Sequence, residues 1–288
     1  MKLLAYSVVG VALLLAQPAL GACELSLQPA SASSVTHDPF SALSTQMSFA
    51  VSVTNRSAVA CTASLVLAPP GGRYVLTSGS DQLAYQIRSP EGQYEGTQST
   101  PITLSIPPEA NRTVTFDAEI PRGVAAPGLF VGEVEARLLS NQDVLDRTTI
   151  SLRASVSAKA QMTITGTRSA SRQNAGPNTA LLDLGVLENG DQGTVFINVF
   201  ANSSVKVTLQ SENSGTLRLV SNTELPAIPY EAVFAGENVS LSTPVLVTKT
   251  PPLTAQGASY PLTITVPSID GRYAGIYRDV ITVSIDTN

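Results

Sequence analysis

The sequence has no tryptophan, one histidine and two cysteines, and only 14% of its 288 residues are charged. Catalysis by a serine–histidine or cysteine–histidine pair would have to use His37. This residue lies in a stretch rich in serine, threonine and proline, so we expect a surface loop histidine. Clusters of metal ligands are absent because the ligand residues are too few. The sequence therefore gives no argument for an enzyme, and we expect neither a cofactor nor a metal.

Concentrated positive charge is also lacking. The net charge is -5, and the 17 lysines and arginines are scattered along the chain. Nucleic-acid binding depends on clustered basic residues that neutralise phosphates. We therefore expect no nucleic-acid partner.

Only the N-terminus carries a long apolar run. Lys2 precedes an apolar stretch over residues 3–16, and small residues at 19–22 would suit cleavage. The run is shorter than the roughly 20 residues that a membrane span needs. We expect residues 1–22 to be a secretory signal peptide, and the mature chain to be exported and to begin at or near Cys23.

The two cysteines allow two interpretations. In an oxidising compartment, Cys23 and Cys61 would most simply form a disulfide. Residues 20–23, Leu-Gly-Ala-Cys, also resemble a bacterial lipobox. Lipidation of Cys23 would leave Cys61 as an unpaired thiol, which favours the disulfide.

Most of the remaining chain alternates apolar and polar residues with a period of two, which is typical of half-buried strands. Turn residues separate these segments, and none has convincing helical periodicity. The sequence therefore predicts an all-β protein built from immunoglobulin-like sandwiches. The predicted strands include residues 46–53, 59–67, 73–76, 83–87, 113–120, 129–138, 148–156, 161–167, 180–187, 194–200, 205–209, 216–220, 228–234, 260–266 and 275–285.

The two halves of the chain resemble each other. Gly-Leu-Phe at 128–130 aligns with Gly-Ile-Tyr at 275–277, an offset of 275 − 128 = 147, and Phe49 aligns with Phe196 at the same offset. A repeat of this length is a whole domain. We predict an N-terminal sandwich over residues 23–156, a linker over 157–160 and a C-terminal sandwich over 161–288.

The halves differ in their final strand. In the first half, residues 129–138 are followed by a turn over 139–147 and a further strand over 148–156. In the second half, residues 275–285 are followed by three residues. We therefore expect the second sandwich to lack its last strand, which leaves an unpaired edge and an apolar groove. The residues expected to line this groove are Tyr277, Ile281, Val283, Ile285, Met162 and Ile164.

The segment at 273–283, Tyr-Ala-Gly-Ile-Tyr-Arg-Asp-Val-Ile-Thr-Val, resembles the closing motif of spore coat protein U-type domains. These domains include the subunits of archaic chaperone–usher pili of Gram-negative bacteria. Residues 182–185 and 228–231 match the same pattern. The resemblance covers residues 161–288 well and 23–156 more weakly. The second half lacks the disulfide of many such pilins.

This resemblance implies partners and a location. A periplasmic pilus chaperone would fill the groove first, and the N-terminal donor strand of the adjacent pilin would then replace it. An outer-membrane usher would be the third partner, and the protein would pass through the periplasm to the cell surface. A chain that begins near a tied Cys23 has little N-terminal arm to donate. We therefore expect a two-domain tip adhesin that mediates attachment and biofilm formation.

The surface that such an adhesin binds should lie on loops remote from the second sandwich. Candidates are Tyr94, in the connection over 90–110, and Val144 and Leu145, in the turn over 139–147. The bound surface or host receptor is not identified by the sequence.

Three alternatives stay open from the sequence. The chain could be an internal or minor structural pilin if its N-terminal arm is longer than inferred. It could be an envelope lipoprotein if Cys23 is lipidated. A periplasmic assembly chaperone also has two immunoglobulin-like domains, but the acidic charge and the open final strand disfavour it.

Overall fold

The computed structural model describes residues 23–28, 33–89, 100–166 and 179–288. In these residues every regular element is a β-strand, which confirms the all-β prediction and is consistent with immunoglobulin-like sandwiches. The described ranges contain no helix that is long and apolar enough to cross a membrane.

The first half folds into two sheets. Its strands are β1 (Leu25–Leu27), β2 (Ser33–His37), β3 (Thr45–Asn55), β4 (Cys61–Ala68), β5 (Val75–Ser78), β6 (Asp81–Ala84), β7 (Gln86–Arg88), β8 (Ile102–Ile106), β9 (Asn111–Ile120), β10 (Gly128–Ser140) and β11 (Asp143–Val156). One sheet has the order β1-β3-β9-β7. The other has the order β2-β11-β10-β4-β8, with β5 paired to β10 and β6 paired to β5.

Alternation along the strands explains how these sheets face each other. On β3, every second side chain from Met47 to Asn55 is buried, while the residues between them face outward. Phe49 stacks on Phe116 of β9, with ring centroids 5.6 Å apart. The inward faces of the two sheets therefore form one core, in which large apolar side chains leave water.

A two-residue turn joins β10 to β11. Asn141 and Gln142 both have positive φ, at 49° and 77°, as a type I′ hairpin turn requires. Because two residues suffice, β10 continues to Ser140 and β11 starts at Asp143. The prediction of a turn over 139–147 is therefore wrong, and Val144 and Leu145 lie on β11.

His37 is not the surface loop residue that the sequence predicted. It ends β2, which pairs in parallel with β11, and its side chain is 1% exposed. Its Nδ1 lies 2.9 Å from Thr45 Oγ1, and its Nε2 lies 3.3 Å from the carbonyl oxygen of Gly123. The ring is buried because both nitrogens have polar partners, which local composition does not reveal.

The second half repeats this arrangement with one sheet divided. Its strands are β12 (Ala160–Gly166), β13 (Asp191–Ala201), β14 (Val205–Ser211), β15 (Thr216–Leu219), β16 (Ile228–Pro229), β17 (Glu231–Phe234), β18 (Glu237–Val239), β19 (Val245–Lys249), β20 (Ala258–Val266), β21 (Tyr277–Arg278) and β22 (Ile281–Thr287). The sheets have the orders β12-β13-β20-β17-β18, β19-β14-β22 and β16-β15-β21.

The predicted strand over 180–187 is wrong. These residues form no ladder, and Gly185 has a φ of 74°. The Asp183 Oδ1 accepts a hydrogen bond from the Gly185 N–H at 2.9 Å, which is a local turn that competes with extended structure. Leu182 and Leu184 nonetheless pack against the second core.

The alignment of Phe49 with Phe196 is also wrong. Thr45 pairs with Ile120 on β9, and Asp191 pairs with Val266 on β20. The strand offset is therefore 191 − 45 = 146. Phe196 faces outward and is 39% exposed, because shifting a strand by one residue moves each side chain to the other face.

Buried side chains form two separate clusters. One is drawn from β1 to β11, and the other from β13 to β20 with residues of β12, β21 and β22 against its edge. The first set of strands ends at Val156 and the second begins at Ala160. The domain boundaries drawn from the sequence stay a prediction.

Candidate functional site

The corresponding strands β10 and β22 differ in their neighbours. β10 lies between β4 and β11, so both of its edges are paired. β22 pairs with β14 along its whole length, and no other strand of the described residues pairs with it. The free edge of β22 therefore lies where β11 lies in the first half.

Equivalent side chains of the two halves differ in burial on these strands. Four inward residues of β10 are at most 1% exposed, whereas their counterparts 147 positions later are only half-buried. The pairs are Phe130 with Tyr277, Val134 with Ile281, Ala136 with Val283, and Leu138 with Ile285. Within the part of the chain that the structure describes, the second core is thus open along β21 and β22.

β12 borders the same opening. Met162 and Ile164 are half-buried, pack against the second core, and lie on a strand that contacts β22. All six residues that the sequence predicted for the groove are thus half-buried and pack against the second core. We call these six side chains the open groove.

β11 illustrates what a final strand covers. Its inward residues Ile150, Leu152, Ala154 and Val156 are all buried. Ile150 pairs with Val134, and Ala154 pairs with Phe130. The same four side chains, placed beside β21 and β22, would face Ile281, Asp279, Tyr277 and Gly275 at the offset of 147.

Asp279, between β21 and β22, is a site residue that sequence reasoning missed. Its Oδ2 accepts hydrogen bonds from the Tyr230 hydroxyl and from Ser211 Oγ, the latter at 2.6 Å. Its Oδ1 accepts from the backbone N–H of Asn213 at 3.0 Å. Burial raises the pKa of Tyr230, and its hydrogen bond to Asp279 raises it further. Tyr230 and Asp279 could have been identified from the sequence, because both belong to the segments that carried the family resemblance.

Tyr85 occupies the place of Tyr230 in the first half but lacks the carboxylate. Its ring is buried, and its hydroxyl has no hydrogen-bond partner among the described residues. Gly132 stands where the second half has Asp279, since 279 − 132 = 147. A Cβ on Gly132 would lie 2.7 Å from Leu76, so a larger residue does not fit there.

Cys23 and Cys61 form a disulfide, with 5.8 Å between their Cα atoms. The adjoining segment is held as well: the Glu24 N–H donates to Ser57 Oγ at 2.6 Å, and the Arg56 N–H donates to the Glu24 carbonyl oxygen at 2.9 Å. Since the Cys23 sulfur is bonded to Cys61, it is not free to carry a lipid thioether.

The far end of the first half carries exposed apolar side chains. Val144 is 48% exposed and Leu145 is 42% exposed, at the end of the β10–β11 hairpin. β11 has 14 residues, so the hairpin turn lies about 40 Å from Val156 at the other end of the strand. Tyr94, the third predicted binding residue, lies outside the described residues.

The two halves meet at Asn202, which is buried. Its Nδ2 donates to the carbonyl oxygens of Ala125 and Ser157, each at 3.0 Å. Its Oδ1 accepts from the Lys159 N–H at 2.7 Å, and Lys159 Nζ lies 2.6 Å from Asp38 Oδ2. These contacts are at the opposite end of the first sandwich from Val144 and Leu145.

The described residues contain no group of three or more histidine, cysteine, aspartate or glutamate side chains that could hold a metal ion. The arrangement offers an apolar opening and a free strand edge, which suit the addition of a strand.

Comparisons with known proteins agree with this fold. No protein-family model and no curated protein matches the sequence. A chain from the crystal structure of the CsuC–CsuE chaperone–tip adhesion subunit pre-assembly complex, from archaic chaperone–usher Csu pili of Acinetobacter baumannii, matches with a TM-score of 0.50 and 15% identity. The match covers 91% of this chain and 100% of that chain. CfaE, the adhesive subunit of CFA/I fimbria of enterotoxigenic Escherichia coli, matches with a TM-score of 0.42 and 12% identity, over 90% of this chain and 93% of that chain. The fold of this chain is thus similar to that of an archaic chaperone–usher pilus protein.

Proposed function

We propose that this chain is a tip adhesin subunit of an archaic chaperone–usher pilus. A periplasmic chaperone fills the open groove, and the N-terminal donor strand of the adjacent pilin replaces it after passage through the outer-membrane usher. The first sandwich then mediates attachment and biofilm formation at the cell surface of a Gram-negative bacterium. The similarity in fold to a Csu pilus protein supports a pilus subunit role and a chaperone partner.

The observation that carries this proposal is the free edge of β22 above a half-buried row of apolar side chains. Fully burying an aliphatic or aromatic side chain stabilises a protein by about 1.5–3 kcal/mol. The six groove side chains are already half-buried, so a strand that covers them would contribute roughly 5 kcal/mol. The backbone hydrogen bonds to β22 add to that figure.

The test is to supply the strand within the chain. Residues 142–156 are appended directly after Asn288, which stands in the place of Asn141 at the offset of 147, so that the copy of β11 can pair with β22 in the register that β11 has with β10. We expect the melting temperature of the second sandwich to rise by roughly 15 °C. In the control, the four inward residues of the appended copy, Ile, Leu, Ala and Val, are replaced by serine. We expect this chain to show little rise in melting temperature.

Equal melting temperatures for the two appended chains would contradict the proposal. A second result supports it independently: coexpression with the pilus chaperone should yield a one-to-one complex, while the chain expressed alone aggregates or is degraded. The appended strand should also abolish chaperone binding, since both partners use the same groove.

Attachment is proposed to involve Val144 and Leu145. They are exposed, apolar and at the end of the first sandwich remote from Asn202. Exposed apolar residues that cluster at one end often mark an interaction surface. We expect Val144→Ser with Leu145→Ser to reduce retention on an alkyl-silanised surface several-fold, without changing the melting temperature. A matched change of the outward residues Thr77 and Gln82 to alanine should have no effect, and unchanged retention in the serine variant would contradict the attachment site.

The alternative functions predict different N-termini for the mature protein. An internal or minor structural pilin must donate a strand to a neighbour as well as accept one, so N-terminal sequencing of the mature protein would distinguish it from a tip subunit. The disulfide between Cys23 and Cys61 argues against an envelope lipoprotein. Mass spectrometry of the mature N-terminus tests that alternative.

A further inference from the structure

A β-bulge shapes the end of the β10–β11 hairpin. Leu138 pairs with Asp146, but its neighbour Leu139 pairs with Val144, so Leu145 is an extra residue in β11. A bulge bends its strand and changes the direction in which nearby side chains point. Val144 and Leu145 are consecutive residues of β11, and both are exposed, as a bulge allows.

Asp146 ties the bulge to a distant part of the chain. Its Oδ2 accepts a hydrogen bond from the Leu27 N–H at 2.7 Å, across 119 residues of sequence. Its Oδ1 accepts from the Arg147 N–H at 2.8 Å. A carboxylate that accepts backbone N–H groups makes a stronger hydrogen bond than a neutral acceptor does. One side chain therefore holds the end of β11 against the end of β1.

β1 has only three residues, and a strand that short is held weakly by its own ladder. The Cys23–Cys61 disulfide fixes its start to β4, and the Glu24 N–H bond to Ser57 adds a second anchor. The linkage runs from Cys61 through Cys23 and β1 to Asp146 and the bulge.

We infer that Asp146 is a positioning residue for the apolar end of the hairpin, acting through β1 and the Cys23–Cys61 disulfide. The inference rests on the proposed role of Val144 and Leu145 in attachment. Asp146 is not itself proposed to contact the bound surface. It holds the bulge in the geometry that keeps both apolar side chains exposed together.

The test compares variants of the full chain by two measurements. Asp146→Ala should speed the hydrogen exchange of the Leu27 and Arg147 amides by about tenfold or more, because both lose their acceptor. It should also lower retention on an alkyl-silanised surface several-fold. Asp146→Asn keeps an oxygen in reach of the Leu27 N–H, so its amide exchange rates and its surface retention should both be close to those of the wild type. The matched control is Asp143→Ala, on the same hairpin and exposed, whose side chain makes no hydrogen bond or ion pair among the described residues; it should resemble the wild type.

The disulfide should act through the same route. Cys23→Ser with Cys61→Ser should lower retention, and adding Asp146→Ala should cause little further loss, since changes in one linkage are not additive. If Asp146→Ala unfolds the first sandwich, Leu27→Pro removes the donor instead and should lower retention to a similar extent, although it has no amide at position 27 whose exchange could be measured.

Three outcomes separate the inference from the proposed function. Retention lost in the Val144→Ser, Leu145→Ser variant but kept in Asp146→Ala overturns the inference alone. Exchange rates that do not differ between Asp146→Ala and Asp143→Ala also overturn it. Retention kept in the serine variant removes the attachment role, and the inference fails with it, while the groove proposal is untouched.

Discussion

Two tyrosines at equivalent positions have opposite hydrogen-bonding states. The Tyr230 hydroxyl donates to Asp279, whereas the Tyr85 hydroxyl is buried without a partner among the described residues. A buried polar group that loses its partner costs about 1–3 kcal/mol, but removing an unpaired group costs little. Replacing each tyrosine by phenylalanine therefore compares the loss of a hydrogen-bonded hydroxyl with the loss of an unpaired one.

We expect Tyr230→Phe to lower the free energy of unfolding of the second sandwich by about 1–2 kcal/mol, because the Asp279 carboxylate loses a donor in a half-buried site. We expect Tyr85→Phe to leave the first sandwich unchanged or to stabilise it by up to about 1 kcal/mol. Chemical denaturation of the full chain measures both. Equal losses for the two variants would contradict the assigned role of Asp279.

At the scale of elements, β22 has one face toward the open groove and one toward solvent. Val283 points inward and Ser284 points outward. We expect Val283→Asp to be tolerated in the open groove but to abolish most of the stabilisation by the appended strand, because the strand would bury an unpaired charge. Ser284→Asp is the control and should keep the full rise in melting temperature. A similar rise in both variants would show that the appended strand does not cover Val283.

The strands with a clear period of two could be predicted from the sequence. The inward rows of β10, β11 and β22 follow directly from it, and the six residues predicted for the groove pack, half-buried, against the second core. β2 was missed because its partners are distant: its pairing with β11 joins residues more than 100 positions apart. The burial of His37 depends on that pairing and on Thr45 and Gly123, so no local pattern indicates it.

Backbone turns account for the other errors. Asn141 and Gln142 form a tight turn with positive φ, although the polar run around them suggested a longer loop. The Asp183–Gly185 turn interrupts an apparently alternating segment. The break between β21 and β22 likewise depends on the hydrogen bonds of Asp279, which join residues that are far apart in sequence. Sequence periodicity describes side-chain faces, but not the hydrogen bonds that end a strand.

At the scale of the whole molecule, Asn202 connects the two halves with hydrogen bonds to three backbone groups. The Lys159–Asp38 ion pair beside it is exposed, and pairs of that kind contribute little. The amide of Asn202 is therefore the main polar contact of the junction.

We expect Asn202→Ala to loosen the junction, because the Ala125 and Ser157 carbonyl oxygens lose a donor that water must replace. Limited proteolysis should then cut residues 157–160 several times faster, and small-angle scattering should show a broader distribution of distances. The exposed Asn238→Ala is the control. Cleavage at the wild-type rate would indicate that apolar packing alone holds the junction.

The parallel pairing of β2 with β11 leaves β11 with neighbours on both sides, β10 and β2. Donating β11 to another molecule would therefore break its pairing with both β10 and β2 and would expose Ile150 and Leu152. We therefore expect that copies of this protein do not polymerise by exchanging β11 with one another. Under the proposed function, the edge of β22 is then left for a strand from another protein, and β2 in the first half is what keeps β11 from occupying that edge in a second copy.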